Sequence, residues 1–590
     1  MRLSPPKNKT PVFIAVFMIF GLVACGPSAE RVYELPLTVD GKADSLFLRT
    51  LTVDIPPKQG GRYGSALVEL TGAKGLFRAK TEGVDEKASL QLAQIANQSV
   101  IKVGRASDLP RLRFKLGAAS RYALQLRNHG SASVQVTLQI ETDSQTEPVR
   151  LVFNQPDCLD CEDRSGGLRH EISEAIRWAE KTIDVAVYGL RQDATQDRDD
   201  PVAALCQAAE EGVTVRLIAD DEFERSGSSY FESIFSDEGG LENCGVHIEV
   251  VRSSKIMHHK FLLIDRGRKN ATLITGSTNF TPTGFTANHN HMYFLAAHTA
   301  LFDSFYDEFE QLWGHCRAPR LEGSRRCSAY PNNECTSACT QDLNEEGPWQ
   351  LGEHRVSAYF TPGDDPLSVL RGSAKEKKYT AVPAECLGES DHCVCRQSGS
   401  KFLCSFCGGS EPGVAPPRTE DLNWGLIGKA KEKVLVDMYA GTDQCLALGL
   451  SHLHRKGIEV AAVWDRVNSS STQNRNRYLC GYGIPVYVSN WGGDSQMVRN
   501  HNKTVLIDET VFDGSLNVTK ASQDNNESVL IWESASIARQ IEDYIRSEIA
   551  LLRSTGVTPG DAASCRCADL VDNDGDGLLD AEDGDCDLPQ

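Results

Sequence analysis

The 590-residue chain is short of positive charge: 61 Lys and Arg stand against 81 Asp and Glu, a net of −20. That balance excludes a basic protein that coats nucleic acid, while leaving room for a local basic cleft. Long apolar runs are also scarce. The stretch 12–24 is too short to span a bilayer, and nothing after it approaches the roughly 20 apolar residues a membrane-spanning helix requires. The mature chain is therefore not expected to cross a membrane. With 40% hydrophobic and 24% charged residues the composition excludes wholesale disorder. The length suits about four domains of roughly 150 residues.

Arg2, Lys7 and Lys9 precede the apolar stretch, which ends in Leu22-Val23-Ala24-Cys25-Gly26. This pattern resembles the bacterial lipobox, and residues 1–24 are read as a lipoprotein signal peptide. The resemblance implies export and lipidation of Cys25, with the chain anchored to a bacterial membrane. Of 19 cysteines, 18 would then remain, an even number that fits disulfides in an oxidising compartment.

Residues 25–149 alternate apolar and polar positions between turn residues, as in Ser133-Val134-Gln135-Val136-Thr137-Leu138, and read as a β-sandwich. From residue 150 strands alternate with helices, an α/β pattern. The pattern then recurs. Val434–Tyr439 matches Ile183–Tyr188, Gly457–Asp465 matches Gly212–Asp220, and Leu426–Ala430 is matched to the first helix of the earlier half. The expected organisation is a half at 150–316, a Cys-containing linker at 317–352, a second half at 353–553 with a Cys-rich insertion at 370–421, and an acidic tail at 561–590.

Each half ends in the same polar pattern. His258-x-Lys260-x4-Asp265 is followed by Gly276-Ser277-x-Asn279, and His501-x-Lys503-x4-Asp508 by Gly514-Ser515-x-Asn517. On a strand, residues two apart share a face, so each His lies beside its Lys, and His259 points the other way into a structural role. The following hairpin is expected to bring Ser277 and Asn279 to His258, and Ser515 and Asn517 to His501. An imidazole, an ammonium, a hydroxyl and an amide at one point suit a phosphate: donors for its oxygens and a nitrogen nucleophile for its phosphorus. One such motif arises by chance in a few per cent of chains; two, each trailed by G-S-x-N, do not.

At these residues the sequence resembles the phospholipase D superfamily over about residues 150–550. The resemblance implies two pseudo-symmetric α/β halves sharing one site. It assigns catalysis to His258, Lys260, Asp265, Asn279, His501, Lys503, Asp508 and Asn517, supported by Ser277, Ser515 and Glu527. It also implies a phosphohistidine intermediate formed without a metal cofactor, with His258 as nucleophile and His501 as acid. The family usually carries a carboxylate after G-S-x-N. Glu527 supplies one in the second half, whereas the first reads Asn288-His289-Asn290-His291, where neutral Asn290 is left to orient an imidazole.

The tail holds ten acidic residues against Arg566 alone, a net of −9 from Asp561 onward. Asp572, Asp574, Asp576, Asp580 and Asp583 fall at oxygen-ligand positions of an EF-hand-type loop with Gly577 and Gly575 between them, and are read as a structural Ca²⁺ site. For Cys158-x2-Cys161 and the cysteines of the insertion, disulfides are preferred to zinc. Cys206 with Cys244 and Cys445 with Cys480 are the expected pairs within the halves.

The expected activity is hydrolysis of phospholipid headgroup diesters by a monomer tethered to membrane. The rivals are an exported nuclease acting on nucleic acid, a phosphatidyltransferase of the cardiolipin synthase kind, and a surface binding protein with a silent site.

Overall fold

The computed structural model describes residues 31–36, 48–57, 64–71, 75–82, 90–96, 99–107, 111–116, 122–128, 133–142, 148–154, 167–191, 200–220, 240–251, 255–268, 271–296, 299–315, 346–386, 390–398, 400–414, 418, 421–469, 475–489 and 499–554. Cys25, Cys158, Cys161, most of the 317–352 linker and the tail ligands Asp572, Asp574, Asp576, Asp580 and Asp583 lie outside them. The chain divides into units 1–147 and 148–590, two residues from the expected boundary.

The first unit is all-β. Strands β1 (Arg31–Pro36), β3 (Gly64–Thr71), β5 (Leu90–Ala96), β6 (Ser99–Ser107) and β8 (Tyr122–Asn128) form one sheet, in the order β1-β3-β8-β5-β6. Strands β2 (Leu48–Ile55), β4 (Gly75–Glu82), β7 (Arg111–Leu116) and β9 (Val134–Thr142) form another, in the order β2-β9-β4-β7. Val134, Val136, Leu138 and Ile140 of β9 are buried while Ser133 and Gln135 are exposed. This is the period of two expected of a sheet with one covered face.

The second unit contains two sheets of matching topology. The first half orders its strands as β10 (Val149–Asn154), β16 (Asn288–Ala296), β15 (Thr272–Gly276), β14 (Lys260–Ile264), β11 (Thr182–Val187), β12 (Thr214–Asp220) and β13 (His247–Val251). In the second half β17 (Trp349–Leu351) forms the edge. It is followed by β18 (His354–Thr361), β28 (Glu527–Glu533), β27 (Thr510–Gly514), β26 (Lys503–Ile507), β22 (Lys433–Met438), β23 (Glu459–Trp464) and β24 (Val486–Val488). The repeat read from the sequence is thus a repeat of structure.

The motif strands β14 and β26 are buried at every position. Their near-continuous apolar runs are what a strand covered on both faces needs. Outside the first sheet pack α1 (Leu168–Arg177) and α2 (Pro201–Glu210); its partner sheet is covered by α6 (Gln444–Arg455). The inner faces share one core, with Phe261, Leu263 and Tyr293 from the first half and Leu506, Val511 and Trp532 from the second. Helices α4 (Thr299–His315) and α9 (Ala535–Ser554) add Phe305, Phe309, Ile541 and Ile545 to it. At about 1.5–3 kcal/mol for each large apolar side chain buried, this shared core holds the halves in one fixed relation.

Two expectations are corrected. Leu426–Ala430 contains a 3₁₀ turn, Ile427–Lys429, and not the counterpart of α1. Gly425 just before the segment, in left-handed backbone at φ 59°, and Ala430 at its end, extended at ψ 134°, confine it to that one turn. Cys445 pairs with Cys407 (Cα–Cα 5.4 Å), not with Cys480, because the insertion lays its strand β21 (Lys401–Cys407) against α6. The Cys206–Cys244 pair is present, and the insertion is closed by Cys386–Cys393 and Cys395–Cys404.

Candidate active site

The motif histidines are brought together by backbone pairing between the halves. The Asn526 carbonyl of the second half accepts the His258 N–H (2.8 Å), and the His289 carbonyl of the first accepts the His501 N–H (2.8 Å). Strand β16 also pairs in parallel with the short β25 (Arg499–Asn500), which leads into His501. The site therefore exists only where the halves meet.

Each side chain is supported across that junction. The His258 Nδ1 lies 2.7 Å from Oε2 of Glu527, and the Ser515 hydroxyl donates to the same oxygen (2.7 Å). The His501 Nδ1 donates to the Ser277 carbonyl (3.0 Å). Because a carbonyl only accepts, Nδ1 carries the proton and the Nε2 lone pair is exposed in the neutral ring. The expectation that Ser277 attends His258 and Ser515 attends His501 is therefore reversed. Each serine serves the histidine of the other half, since each G-S-x-N loop follows a strand that ends at the junction. Asn290 does not orient His501 either. Its Nδ2 donates to the Gly284 carbonyl (2.8 Å), and its place behind the ring is taken by backbone.

The lysines complete the cluster. Lys260 Nζ donates to the His258 carbonyl (2.7 Å) and Lys503 Nζ to the His501 carbonyl (2.6 Å). Both lysines are fully buried, and His258 and His501 keep only 6% and 7% exposure. Burial, then the Lys260 and Lys503 ammoniums, hold His258 well below the ordinary imidazole range. Burial, then Lys503, Lys260 and His258, do the same to His501. Both rings are thus kept as neutral, nucleophilic imidazoles. Burial lowers Lys503 to about 7, against the pull of Glu527 and nearby aspartates. Burial also raises Glu527 to about 7, against Lys260, Ser515 and Asn525, which favour its charged form.

Asn279 and Asn517 are placed at the ends of the same hairpins. Their side-chain oxygens are buried with no hydrogen-bond partner among the described residues; an amide oxygen only accepts, so a contact from either Asn to a phosphoryl oxygen has to come from its Nδ2.

Asp265 and Asp508 are not brought to this point. Each sits at the far end of its motif strand, five residues and about 16 Å from the lysine at ~3.3 Å per residue. Asp265 accepts backbone N–H groups from Glu180, Lys181 and Thr182 at 2.6–3.3 Å. Asp508 accepts from Lys431, Glu432 and Lys433 at 2.8–3.1 Å. Both adopt left-handed backbone, φ 56° and 49°. They fasten the neighbouring strand and are structural, a correction to their assignment as catalytic residues.

Sequence reasoning missed two aromatic walls. Tyr188 lies 5.0 Å from the His258 ring and Tyr439 4.7 Å from the His501 ring, centroid to centroid. Lys260 and Lys503 approach the same two rings at 5.6 and 4.9 Å. Their matching positions at the ends of β11 and β22 were the available signal. His259 plays the structural part expected of it, with Nε2 against Glu308 (2.9 Å) on the opposite face.

Residues 172–313 and 425–549 match the family model described as "Cardiolipin synthase, PLD-like domain". Among curated proteins, the mitochondrial cardiolipin hydrolase of Chlamydomonas reinhardtii is 29% identical over 135 residues, 23% of this chain and 52% of that protein. The phospholipase D of Rickettsia conorii is 28% identical, over 20% of this chain and 58% of that protein. The chain spans about half the length of these relatives. Among solved structures, the phosphatidylserine synthase of Haemophilus influenzae superposes with a TM-score of 0.44 at 12% identity, covering 68% of this chain and 86% of that one.

Proposed function

The chain belongs to the phospholipase D superfamily and carries a phosphodiesterase-type site, and from that premise we propose that it hydrolyses phospholipid headgroup diesters through a phosphohistidine. The observation that carries this reading is the crossed support of the two motif histidines, each buried beside its lysine and held by the other half.

We assign the nucleophile to His258. Attack by Nε2 on phosphorus leaves the ring cationic for the lifetime of the intermediate. A carboxylate at Nδ1 stabilises that charge, and only His258 has one, in Glu527. His501, backed by a neutral carbonyl, loses a proton readily once charged. Because the substrate-free site holds it neutral, His501 takes up a proton at Nε2 as the anionic diester binds, gives it to the leaving alkoxide, and then, as a neutral base, takes one from the water of the second step, which restores the acid. Lys260, Lys503, Asn279 and Asn517 supply donors for the phosphoryl oxygens, the role a metal plays elsewhere.

The lipid substrate is favoured by two considerations. Relatives named for cardiolipin hydrolysis and phospholipase D activity support it. So does the lipobox-like Cys25, because a tethered enzyme meets lipid at high local concentration. A net charge of −20 disfavours a polyanionic nucleic acid. The test is product analysis with phosphatidylcholine, cardiolipin and single-stranded DNA, each with and without chelator. Release of headgroup or phosphatidic acid supports the proposal; cleavage of DNA alone overturns the lipid reading.

A further inference from the structure

Behind the Ser277 carbonyl lies a buried polar network that the chemistry above does not use. The Asn502 amide spans the two halves. Its Oδ1 accepts from His291 Nδ1 (2.9 Å) and lies 3.4 Å from the Ser277 hydroxyl. Its Nδ2 donates to Asp437 (2.7 Å) and lies 3.3 Å from the Tyr544 hydroxyl. These two donor contacts fix which end of the amide faces His291. On its other side the His291 ring meets Asp513, which also accepts from Tyr293 (2.7 Å) and Thr504 (3.1 Å). Ser277 is clamped between these groups. Its N–H donates to the His291 carbonyl (3.1 Å), and its hydroxyl accepts the His291 N–H (3.2 Å). Every one of these side chains is buried in the junction.

We infer that Asn502 and His291 are positioning residues for His501, acting through the Ser277 carbonyl that holds the His501 ring. The inference rests on the assignment of His501 as the acid. Glu527 braces His258 directly. In the matching place behind His501 stands Asn290, turned away to Gly284, so the ring depends on a main-chain acceptor. A main-chain acceptor is only as well placed as the groups that fix it, and here those are the His291 main chain and the Asn502 amide against the Ser277 hydroxyl, an amide that the His291 ring in turn orients. Among the described residues the first half has no equivalent brace. His259, the counterpart of Asn502, turns to Glu308, and its Nδ1 has no hydrogen-bond partner among the described residues. A small displacement of a proton donor costs up to about 100-fold in rate, and that cost should fall on leaving-group protonation alone.

The test is a series of aryl and alkyl phosphodiesters of rising leaving-group pKa, cleaved by Asn502→Leu, His291→Gln and His501→Ala. For Asn502→Leu and His291→Gln we expect loss of at least about tenfold on alkyl esters and under about threefold on p-nitrophenyl esters. Their plot of rate against leaving-group pKa then steepens as that of His501→Ala does. Equal losses across the series, with His501→Ala still steep, overturn the inference while sparing the role of His501. Uniform loss in His501→Ala itself overturns the assignment beneath it. If Asn502→Leu fails to fold, His291→Gln, whose one amide nitrogen cannot span from Asn502 to Asp513 as the two ring nitrogens do, decides the matter.

Discussion

Glu527 and His258 come from different halves of the chain and share a buried contact of 2.7 Å, Oε2 to Nδ1. The motif histidine of one repeat is thus completed by the other. Replacing Glu527 with Gln retains the shape and removes the charge. We expect kcat to fall by about 10²-fold or more, equally for good and poor leaving groups, because formation of the cationic phosphohistidine is what suffers. Single-turnover rates on p-nitrophenyl and alkyl diesters check this. Selective loss on the alkyl ester would move the acid role to His258.

The pH dependence of kcat/KM reports the free enzyme. Glu527, at about 7, is protonated as pH falls and withdraws its charge from His258. Lys503, at about 7, is deprotonated as pH rises and no longer offers a cation to the phosphoryl oxygens. A narrow optimum near neutrality follows, with decline on both sides. Glu527→Gln should lose the acid limb and keep the alkaline one. A flat profile from about pH 5 to 9 would contradict both assignments.

Asp265→Asn and Asp508→Asn separate fold from chemistry. Each weakens a carboxylate that gathers backbone N–H groups at the start of a strand. For buried Asp265 the expected loss of stability is about 1–3 kcal/mol, with kcat of the folded protein unchanged. Burial opposes ionisation of Asp508, but the N–H groups of Lys433, Lys431 and Glu432 hold it below the usual carboxylate range. Its contribution is present above the unfolded carboxylate value and lost as pH falls through the folded one. The Asp508→Asn and parent melting temperatures should therefore converge in acid. A loss of kcat without loss of stability would restore a catalytic role.

The tail and anchor are tested by removal. Deleting residues from Asp569 onward should abolish Ca²⁺ binding, measured by calorimetry, and leave diester hydrolysis intact. EDTA that still stops the truncated protein would place a metal in the reaction. Cys25→Ala should move the protein from the membrane to the soluble fraction; an unchanged membrane fraction removes the anchor.

The polar positions His258, Lys260, His501 and Lys503 were legible in the sequence because period-two geometry on a strand is local and recurs in both repeats. The partners of those residues were not. Ser277 and Ser515 serve the opposite histidines, and no spacing within one repeat encodes a crossing made between repeats. Asn502, His291 and Asp437 read as ordinary polar residues until packing of β16 against the second half buries them together. Asp265 was misread because an acid at fixed spacing after a strand suits a backbone anchor as well as a catalyst. Cys445 was misassigned because its partner, Cys407, arrives on an insertion whose docking side only the fold reveals.

The shared site is tested most directly by the activities of His258→Ala, His501→Ala and the double variant on one alkyl phosphodiester. General acid–base catalysis alone is worth about 10²–10⁴-fold, and the nucleophile at least as much. Residues that act as a unit are not additive. Both single variants should therefore lose most activity, and the double variant should be scarcely worse than the worse single. Near-parental activity in either single variant would show that the halves work separately and would contradict the shared site.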